Sequence, residues 1–289
     1  TNYTAGAALG ARTIIQVSPS LNFSATGLFG GTAYDFYVYA VNLDCNGGPL
    51  YNNVSPLTGT QSTTACVGLS GVVPIGPTAP AAPAGFPSLS GASGAIAYLA
   101  ANGLTAATQL ELQSDYVASV ETYPITIGSI SCSGPGKVLT IRPASLVATP
   151  IVFTASNANA IFDFNGANYV TLDGRPGGTG TSQMIQVINT NTTAISTVRL
   201  VNEASNNVIT YCDLQGASVT SANPTTSGIV FIGTTTGLFG NDNNTISFSN
   251  IHSADQVNFP AIGVGASNLT TAGTLANNDN NIITDNNIY

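Results

Sequence analysis

Charge is the scarcest feature of this 289-residue chain. Charged residues make up 6% of it, with 13 acids, 5 cations, one His, one Met and no Trp, and the formal net charge is −8. Five scattered cations cannot form the basic surface that binds phosphate backbones or anionic lipid, which excludes nucleic acid as a partner and docking on a membrane surface. Disorder is disfavoured, because 43% of the residues are hydrophobic. The composition is typical of an all-β protein rich in Thr, Ser, Asn and Gly.

Long apolar runs and clustered cysteines are missing as well. The most apolar region, 71–84, is interrupted by four prolines, so it cannot form a membrane-spanning helix, and no membrane insertion is expected. The four cysteines form no CxxC pair and lie far from His252, which disfavours a zinc site. Low charge and spaced cysteines favour an extracellular or cell-surface location.

Residues 1–66 carry an alternating strand pattern. Tyr34, Phe36 and Val38 fall on one face of a predicted strand. From Leu28 onward the chain reads Leu-x-Gly-x-Thr-x-Tyr-x-Phe-x-Val-x-Ala-x-Asn. This signature resembles the E-to-F strand region of fibronectin type III domains, which implies that these residues are the C-terminal part of a β-sandwich. Its first strands would belong to a preceding segment or come from another subunit.

The cysteines suggest one bridge in this first domain. Cys45 and Cys66 flank its last predicted hairpin, and we predict a disulfide between them that closes about twenty residues. We expect no bridge between Cys132 and Cys212, because the repeat described below would place them several strand spacings apart.

A linker and a capping helix are predicted next. Residues 67–87 are rich in proline and predict a semi-rigid linker. Residues 88–102 predict a helix that begins at the N-cap Ser88 and stops at Gly103, with apolar residues at helical spacing at Leu89, Ala92, Ile96 and Leu99. One helix before many short strands predicts a cap over the open end of a β-solenoid. An ordinary surface helix of an α+β domain is the alternative.

Three segments recur 37 residues apart, beginning at Asn206, Asn243 and Asn280. A constant period of this size indicates stacked units, and we predict a right-handed parallel β-helix over 88–289 with one coil per repeat. The three leading Asn side chains would form an amide ladder. Inside the coils we expect stacks of Ile209, Ile246 and Ile283, of Tyr211 and Phe248, and of Leu214, Ile251 and Ile288. Asp285 interrupts the aromatic stack, which predicts a shift of the inside-outside register there.

Several strings support a family resemblance for residues 69–289. They are Phe-Pro-Ser-Leu (86–89), Leu-Glu-Leu-Gln (110–113), Leu-Thr-Ile-Arg-Pro (139–143), Val-Thr-Leu-Asp-Gly-Arg (170–175) and Gly-Asn-Asp-Asn-Asn-Thr-Ile (240–246). These strings resemble β-helix domains of large surface and adhesin-like proteins that Bacteroidota export through the type IX secretion system. The resemblance implies a secreted, cell-surface protein, and we expect the β-helix to continue beyond the last residue.

Catalytic candidates are few. None of the four motifs of polygalacturonase-like β-helices (Asn-Thr-Asp, Asp-Asp, Gly-His-Gly, Arg-x-Lys) occurs. A lyase would have to use Asp163, Asp173 and Arg175, but an Asp-Gly-Arg turn at a strand end is usually structural. We interpret His252 as a solvated turn residue and not as a catalytic base. Asp242 and Asp279 lie one repeat apart in Asn-rich loops and are weak candidates for Ca²⁺.

The sequence therefore favours a non-enzymatic extracellular scaffold or adhesive stalk without a cofactor. A carbohydrate-active or carbohydrate-binding β-helix, similar to polysaccharide lyases, is the second hypothesis. A filament subunit that shares strands between copies is the third. The partners expected on these hypotheses are a surface polysaccharide or other copies of the chain.

Overall fold

The computed structural model describes residues 8–9, 12–17, 22–23, 25, 28, 31–42, 50–51, 54–193, 196–217, 228–233, 239–254, 261–265 and 277–289. The chain divides into two compact units, Thr1–Ala65 and Cys66–Tyr289. Among the described residues there is one α-helix, and it is too short to span a membrane. The other described regular elements are β-strands and two short 3₁₀ turns.

The first unit consists of short antiparallel strand pairs. Its strands are β1 (Ala8–Leu9), β2 (Arg12–Thr13), β3 (Ala33–Val38), β4 (Val41–Asn42), β5 (Leu50–Tyr51) and β6 (Leu57–Ser62). β1 pairs with β2, β3 with β6, and β4 with β5. Tyr34 and Phe36 are half-buried on one face of β3, and the Phe36 ring lies 5.3 Å from the Phe23 ring. The strand pair predicted from the alternating pattern is present, but no described side chain of this unit is fully buried.

The second unit is a parallel β-solenoid of about five turns. Its elements in chain order are β7 (Leu69–Ile75), α1 (Ala95–Asn102), β8 (Leu104–Leu112), β9 (Ile125–Ile127), β10 (Leu139–Pro143), β11 (Ile151–Ala155), β12 (Phe162–Asn165), β13 (Val170–Asp173), β14 (Ile185–Asn189), β15 (Ser196–Val201), β16 (Val208–Thr210), β17 (Cys212–Gly216), β18 (Gly228–Gly233), β19 (Thr245–Ser247), β20 (Asn250–Ser253), β21 (Ile262–Gly265), β22 (Ile282–Thr284) and β23 (Asn287–Ile288). Two short 3₁₀ turns, at Ala118–Val120 and Pro176–Gly178, interrupt the loops.

These strands form three parallel sheets. Sheet A contains β7, β8, β10, β13, β16, β19 and β22; sheet B contains β11, β14, β17, β20 and β23; sheet C contains β9, β12, β15, β18 and β21. Ile209 pairs in register with Ile246, and Ile246 with Ile283. Ile209, Ile246, Leu214 and Ile251 are buried in the interior as predicted, whereas Ile283 and Ile288 are 43% and 52% exposed in the last described coil, so their predicted burial is wrong. Parallel pairing between the repeats confirms the predicted parallel β-helix.

One left-handed residue lies at the corner between sheet A and sheet B in each of the later coils. Tyr211, Phe248 and Asp285 occupy this corner with φ of 52°, 51° and 56°. The prediction that Tyr211 and Phe248 stack inside is wrong, because the corner turns their side chains outward and leaves Phe248 43% exposed. Asp285 adopts the same conformation, which Asp tolerates well. The predicted register shift at Asp285 is therefore absent.

Residues 67–87 do not form an extended linker. β7 lies within them and pairs with β8, and Phe86 is buried in the core. The helix begins at Ala95, not at 88, because Gly91 is in the left-handed region and Gly94 is its N-cap. It ends as predicted at Asn102, with Gly103 at φ 74°. The helix lies between β7 and β8 and buries Leu99 in the core. It thus occupies, in the first coil, the chain positions that strands of sheets B and C take in later coils.

The disulfide differs from the prediction. Cys66 is bonded to Cys132, with Cα atoms 6.5 Å apart. A Cβ on Gly68 would collide with the backbone of Gly103, and a Cβ on Gly103 would collide with the backbone of Ser131. These three segments therefore stack closely, which brings the two cysteines together. The Cys45–Cys66 pairing is therefore wrong, and Cys45 itself lies outside the described residues.

Cys212 is a buried free thiol, and burial raises its pKa well above the usual range.

Candidate functional site

The candidate site is a row of side chains along the corner between sheets A and B. We call this row the corner strip; it consists of Asp173, Arg175, Tyr211, Asp213, Phe248 and His252. Each later coil contributes one outward residue at its left-handed corner. The Tyr211 and Phe248 rings stack 5.0 Å apart at 12°, and the Arg175 guanidinium carbon lies 4.6 Å from the Tyr211 ring centre. Both faces of the Tyr211 ring are therefore covered.

Arg175 is bound tightly to Asp173. Its Nε and Nη2 each donate to an Asp173 oxygen at 2.9 Å, and its backbone N–H donates to Asp173 Oδ1 at 3.0 Å. The Asp173 side chain is nearly buried at the end of β13. Hydrogen bonding to Asp173 raises the pKa of Arg175 further, so the guanidinium stays charged. The pair fits the structural reading of the Asp-Gly-Arg turn.

His252 has an acid partner that the sequence did not reveal. It lies on β20, and its Nε2 is 2.9 Å from Asp213 Oδ1 on β17 of the preceding coil. The ring also stacks on Tyr289 at 4.8 Å and 3°. The prediction of a solvated turn residue is wrong, because His252 is on a strand and only 16% of its side chain is exposed. The signal was the coil spacing, which brings Asp213 beside a residue 39 positions later.

The third catalytic candidate lies elsewhere. Asp163 is on β12 in sheet C, where Arg199 of the next coil donates to its two oxygens at 2.6 and 2.8 Å. Asp173 is the last residue of β13 in sheet A and Arg175 lies just beyond it, so the structure does not bring Asp163 into their group. Another cross-coil pair joins Arg142 to Glu111 at 2.7 Å. Each of these carboxylates is paired with one Arg, so its charge is already neutralised by a structural partner.

The two Ca²⁺ candidates lie on adjacent coils, but the Asp242 carboxylate is already bonded to the Asp279 backbone. Asp242 Oδ1 accepts the backbone N–H of Asp279 at 2.7 Å. The part of the chain that the structure describes contains no cluster of three His, Cys, Asp or Glu side chains suited to a metal ion. The geometry therefore matches loop-to-loop bonding between adjacent coils.

The amide ladder lies one residue beyond its predicted position. Asn206, Asn243 and Asn280 have φ of 60°, 56° and 55°, the left-handed conformation that Asn accepts readily. The ladder is formed by the second Asn of each pair: Asn207 donates through its backbone N–H and its Nδ2 to Asn244 Oδ1, both at 3.0 Å. The backbone N–H of Asn244 donates to Asn281 Oδ1 at 2.9 Å.

Two further polar columns run parallel to this ladder. Asn241 donates through its N–H and its Nδ2 to Asn278 Oδ1, both at 2.9 Å. Cys212 donates its N–H to Ser249 Oγ, and the Ser249 N–H donates to Asn286 Oδ1 at 3.0 Å. All three columns satisfy backbone N–H groups that the turns leave unpaired.

Glu121 is a further residue that sequence reasoning missed. It is buried, and it accepts the backbone N–H groups of Leu89 at 2.7 Å and Ser90 at 2.6 Å. The Tyr116 hydroxyl donates to the same carboxylate. Burial, and then the charge of Glu121, raises the pKa of Tyr116 well above its usual range. Glu121 thus holds the segment before the helix onto the second coil.

Comparison with known protein families, curated proteins and solved structures finds no match to this chain. Its function is therefore inferred from its own geometry.

Proposed function

We propose that this chain is a segment of a non-enzymatic extracellular scaffold or adhesive stalk, within a large secreted cell-surface protein. The direction of its side-chain bonds supports the proposal. The Asn207–Asn244 ladder, the Asp163–Arg199 pair and the Tyr211–Phe248 stack all join one coil to the next. Bonds that run along the axis resist the separation of coils, which is the requirement on a stalk under tension.

The disulfide and the first unit support the extracellular setting. The Cys66–Cys132 bridge is of the kind that persists in oxidising compartments. On this proposal the solenoid is right-handed, its origin is a type IX-secreted Bacteroidota protein, and Thr1–Ala65 is part of a fibronectin type III-like domain. The antiparallel β3–β6 pair is consistent with that domain.

A carbohydrate-binding role is the second candidate, because the corner strip presents aromatic rings beside carboxylates. Phe248 is exposed, and Asp173 is bonded to Arg175, whose guanidinium lies over the Tyr211 ring. Sugars pack against free aromatic faces, however, and Arg175 and Phe248 cover both faces of Tyr211. This arrangement favours the stalk proposal over the carbohydrate-binding proposal.

Incubation of the purified chain with acidic and neutral polysaccharides, with and without Ca²⁺, separates these candidates. We expect neither unsaturated nor reducing ends to be released. Steady product release that is lost in Asp173→Ala or Arg175→Ala would replace the stalk by a lyase. Retention of the chain on an immobilised polysaccharide, lost in Phe248→Ala, would favour the carbohydrate-binding surface.

Force-extension measurement gives the positive test of the stalk. The chain is pulled through its two ends, and the solenoid is expected to unfold in steps of about one coil at forces that fall in Asn244→Ala. If the solenoid yields at the same force in this variant, the ladder does not carry tension and the proposal loses its main support.

A further inference from the structure

The disulfide lies at the point where tension on the first unit enters the solenoid. Cys66 is the first residue of the second unit and follows the first unit directly in the chain. Its partner Cys132 lies in the loop between β9 and β10. A pull on the first unit therefore reaches Cys66 and crosses the S–S bond to Cys132, because the bridge is the shortest covalent path. Residues 67–131, which we call the reserve segment, lie outside this path.

The reserve segment is held together by contacts of its own. It contains β7, α1, β8 and β9. β7 pairs with β8, and α1 buries Leu99 in the core. Glu121 accepts the backbone N–H groups of Leu89 and Ser90. Each of these contacts joins two parts of the reserve segment, so they keep it folded whether the bridge is closed or open.

The first strand of the reserve segment is vulnerable to tension applied at its end. β7 is the terminal strand of sheet A and pairs only with β8 among the described strands. This pairing contains a register shift between Leu69 and Gly71, and Pro74 has no N–H to contribute to it. Tension applied at Leu69 would break the β7–β8 hydrogen bonds one after another, because the load reaches the end of the strand first. The bridge prevents this by diverting the load before it reaches Leu69.

The bridge can be opened only by a thiol from outside the chain. Cys66 and Cys132 are both partly exposed, whereas Cys212 is fully buried, and burial raises its pKa so that it remains a thiol. A thiolate is the attacking species in disulfide exchange, so Cys212 does not open the bridge from within. An external dithiol gives up two electrons and two protons and closes to its own disulfide. Cys66 and Cys132 each take up one electron and one proton.

We propose that the Cys66–Cys132 bridge is a redox-controlled bypass that keeps the reserve segment free of tension in the oxidised protein. A dithiol that reduces the bridge places the reserve segment in line with the load and lengthens the loaded chain. The added length is about 220 Å, because the 66 residues reach roughly 3.4 Å each when extended. The bypass rests on the stalk proposal, since tension acts on the chain only in that setting.

Force-extension measurement on the full chain, held through its two ends, tests the bypass before and after incubation with dithiothreitol. Reduction should increase the total released length by about 220 Å. The increase should recur after the load is relaxed, because β10 and β12 remain as templates on which β8 and β9 refold. An equal released length in the two states would overturn the proposal. An increase confined to the first pull would also overturn it, because the segment would then not act as a reserve.

Two variants locate the load. Glu121→Gln keeps one of the two acceptor oxygens, and Val73→Ala shortens a buried side chain of β7. Each should lower the unfolding force of the reduced protein and leave that of the oxidised protein unchanged, because the bridge removes their segment from the load. Asn244→Ala is the matched control beyond Cys132 and should lower the force in both states.

A lower force for either reserve-segment variant in the oxidised protein would mean that tension crosses the segment, and the bypass would be refuted. Unchanged forces in both states would refute it too, because the segment would then carry no load after reduction. The double variant Cys66→Ser, Cys132→Ser should match the reduced wild type without any dithiol, which separates the bridge from other effects of dithiothreitol.

Failure of the bypass and failure of the stalk proposal give different results. If Asn244→Ala leaves the force unchanged, the stalk proposal loses its support whatever the bridge does. If Asn244→Ala lowers the force but reduction adds no length, the stalk proposal stands and the bypass is wrong.

Discussion

The early and the late coils of the solenoid differ in their residue spacing and in the side-chain contacts that join one coil to the next. In the early coils, 104–201, aligned residues of sheet A lie 31 apart and those of sheet B lie 34 apart, and the step from β14 to β17 of the late coils is 27 residues. Phenylalanines fill the interior, and Glu111–Arg142 and Asp163–Arg199 pairs join the outer faces. In the late coils, 206–288, the spacing in both sheets is 37, and columns of Asn and Ser join the turns.

The difference follows from what each bond requires. A polar column bonds one coil to the next at every step, so successive coils must present a side-chain acceptor such as Asn or Ser at the same place. An ion pair needs only one acid and one base on adjacent coils, and an aromatic interior needs only volume. Sequence repetition is therefore required where ladders are present and can be lost where they are absent.

The largest effect is expected at the disulfide, which closes only the early region. Replacing Cys66 and Cys132 by Ser should lower the free energy of unfolding by about 4 kcal/mol in the loop-entropy model, because the bridge closes a loop of 66 residues. Urea unfolding of both proteins measures the change. Hydrogen exchange should speed up in the early coils and stay the same in the late coils; an equal change in both would mean that the solenoid unfolds as one unit.

The late coils should be most sensitive at the ladder. Asn244→Ala should lower the free energy of unfolding by about 3 kcal/mol, because it leaves the buried N–H of Asn207 and the carbonyl of Ala204 unpaired. The control is Asn243→Gly, at the neighbouring left-handed position, where glycine is tolerated and the loss should be roughly 0.5 kcal/mol or less. Urea midpoints of the two variants decide which Asn of the pair forms the ladder, and the reverse order would restore the position predicted from the sequence.

The early coils should tolerate apolar replacement of an entire pair. Asp163→Leu leaves the partly buried Arg199 unpaired and should cost about 2 kcal/mol. Adding Arg199→Met should recover most of that loss, since the two side chains bond mainly to each other. The corresponding double change of Asn207 and Asn244 to Leu should not recover, because backbone groups would remain unpaired. A double-mutant cycle for each pair measures both couplings, and equal recovery would remove the distinction between the two regions.

The smallest effect is expected at the corner strip. Phe248→Ala removes the stack on Tyr211 but keeps a left-handed residue with a Cβ, and should cost about 1 kcal/mol. Phe248→Gly loses the same stack and relieves the backbone, so its loss should be smaller. Thermal unfolding of the two variants compares these terms. A larger loss in the glycine variant would mean that the backbone at the corner is not strained.

The repeat made the late coils predictable. Ile209 and Ile246 repeat at the coil period, and the structure places them inside as the pattern indicates. For the early coils only the presence of parallel strands was predicted, and not their alignment, because the spacing between aligned residues varies there. The amide ladder was misplaced by one residue, since both members of each Asn-Asn pair recur with the same period. Periodicity alone cannot tell which one takes the left-handed backbone and which one turns inward.

Catalytic and metal-binding candidates were predicted from short sequence strings. The structure places some of these residues on different sheets and brings others into contact. Asp173 and Arg175 are close because they are two residues apart. Asp213 and His252 are 39 residues apart, and only the stacking of β17 and β20 brings them together. Arg199 reaches Asp163 for the same reason, across 36 residues.

The sequence by itself determined the strand content, the coil period, the buried aliphatic stacks and the end of the helix, because these depend on residue type and local spacing. The tertiary structure alone decided the Cys66–Cys132 bridge, the inclusion of β7 in the first coil and the bonding of Glu121 to the segment before the helix. These features depend on which loops the stacked coils bring into contact. Loop lengths that vary from coil to coil set those contacts, and no repeat in the residues records them.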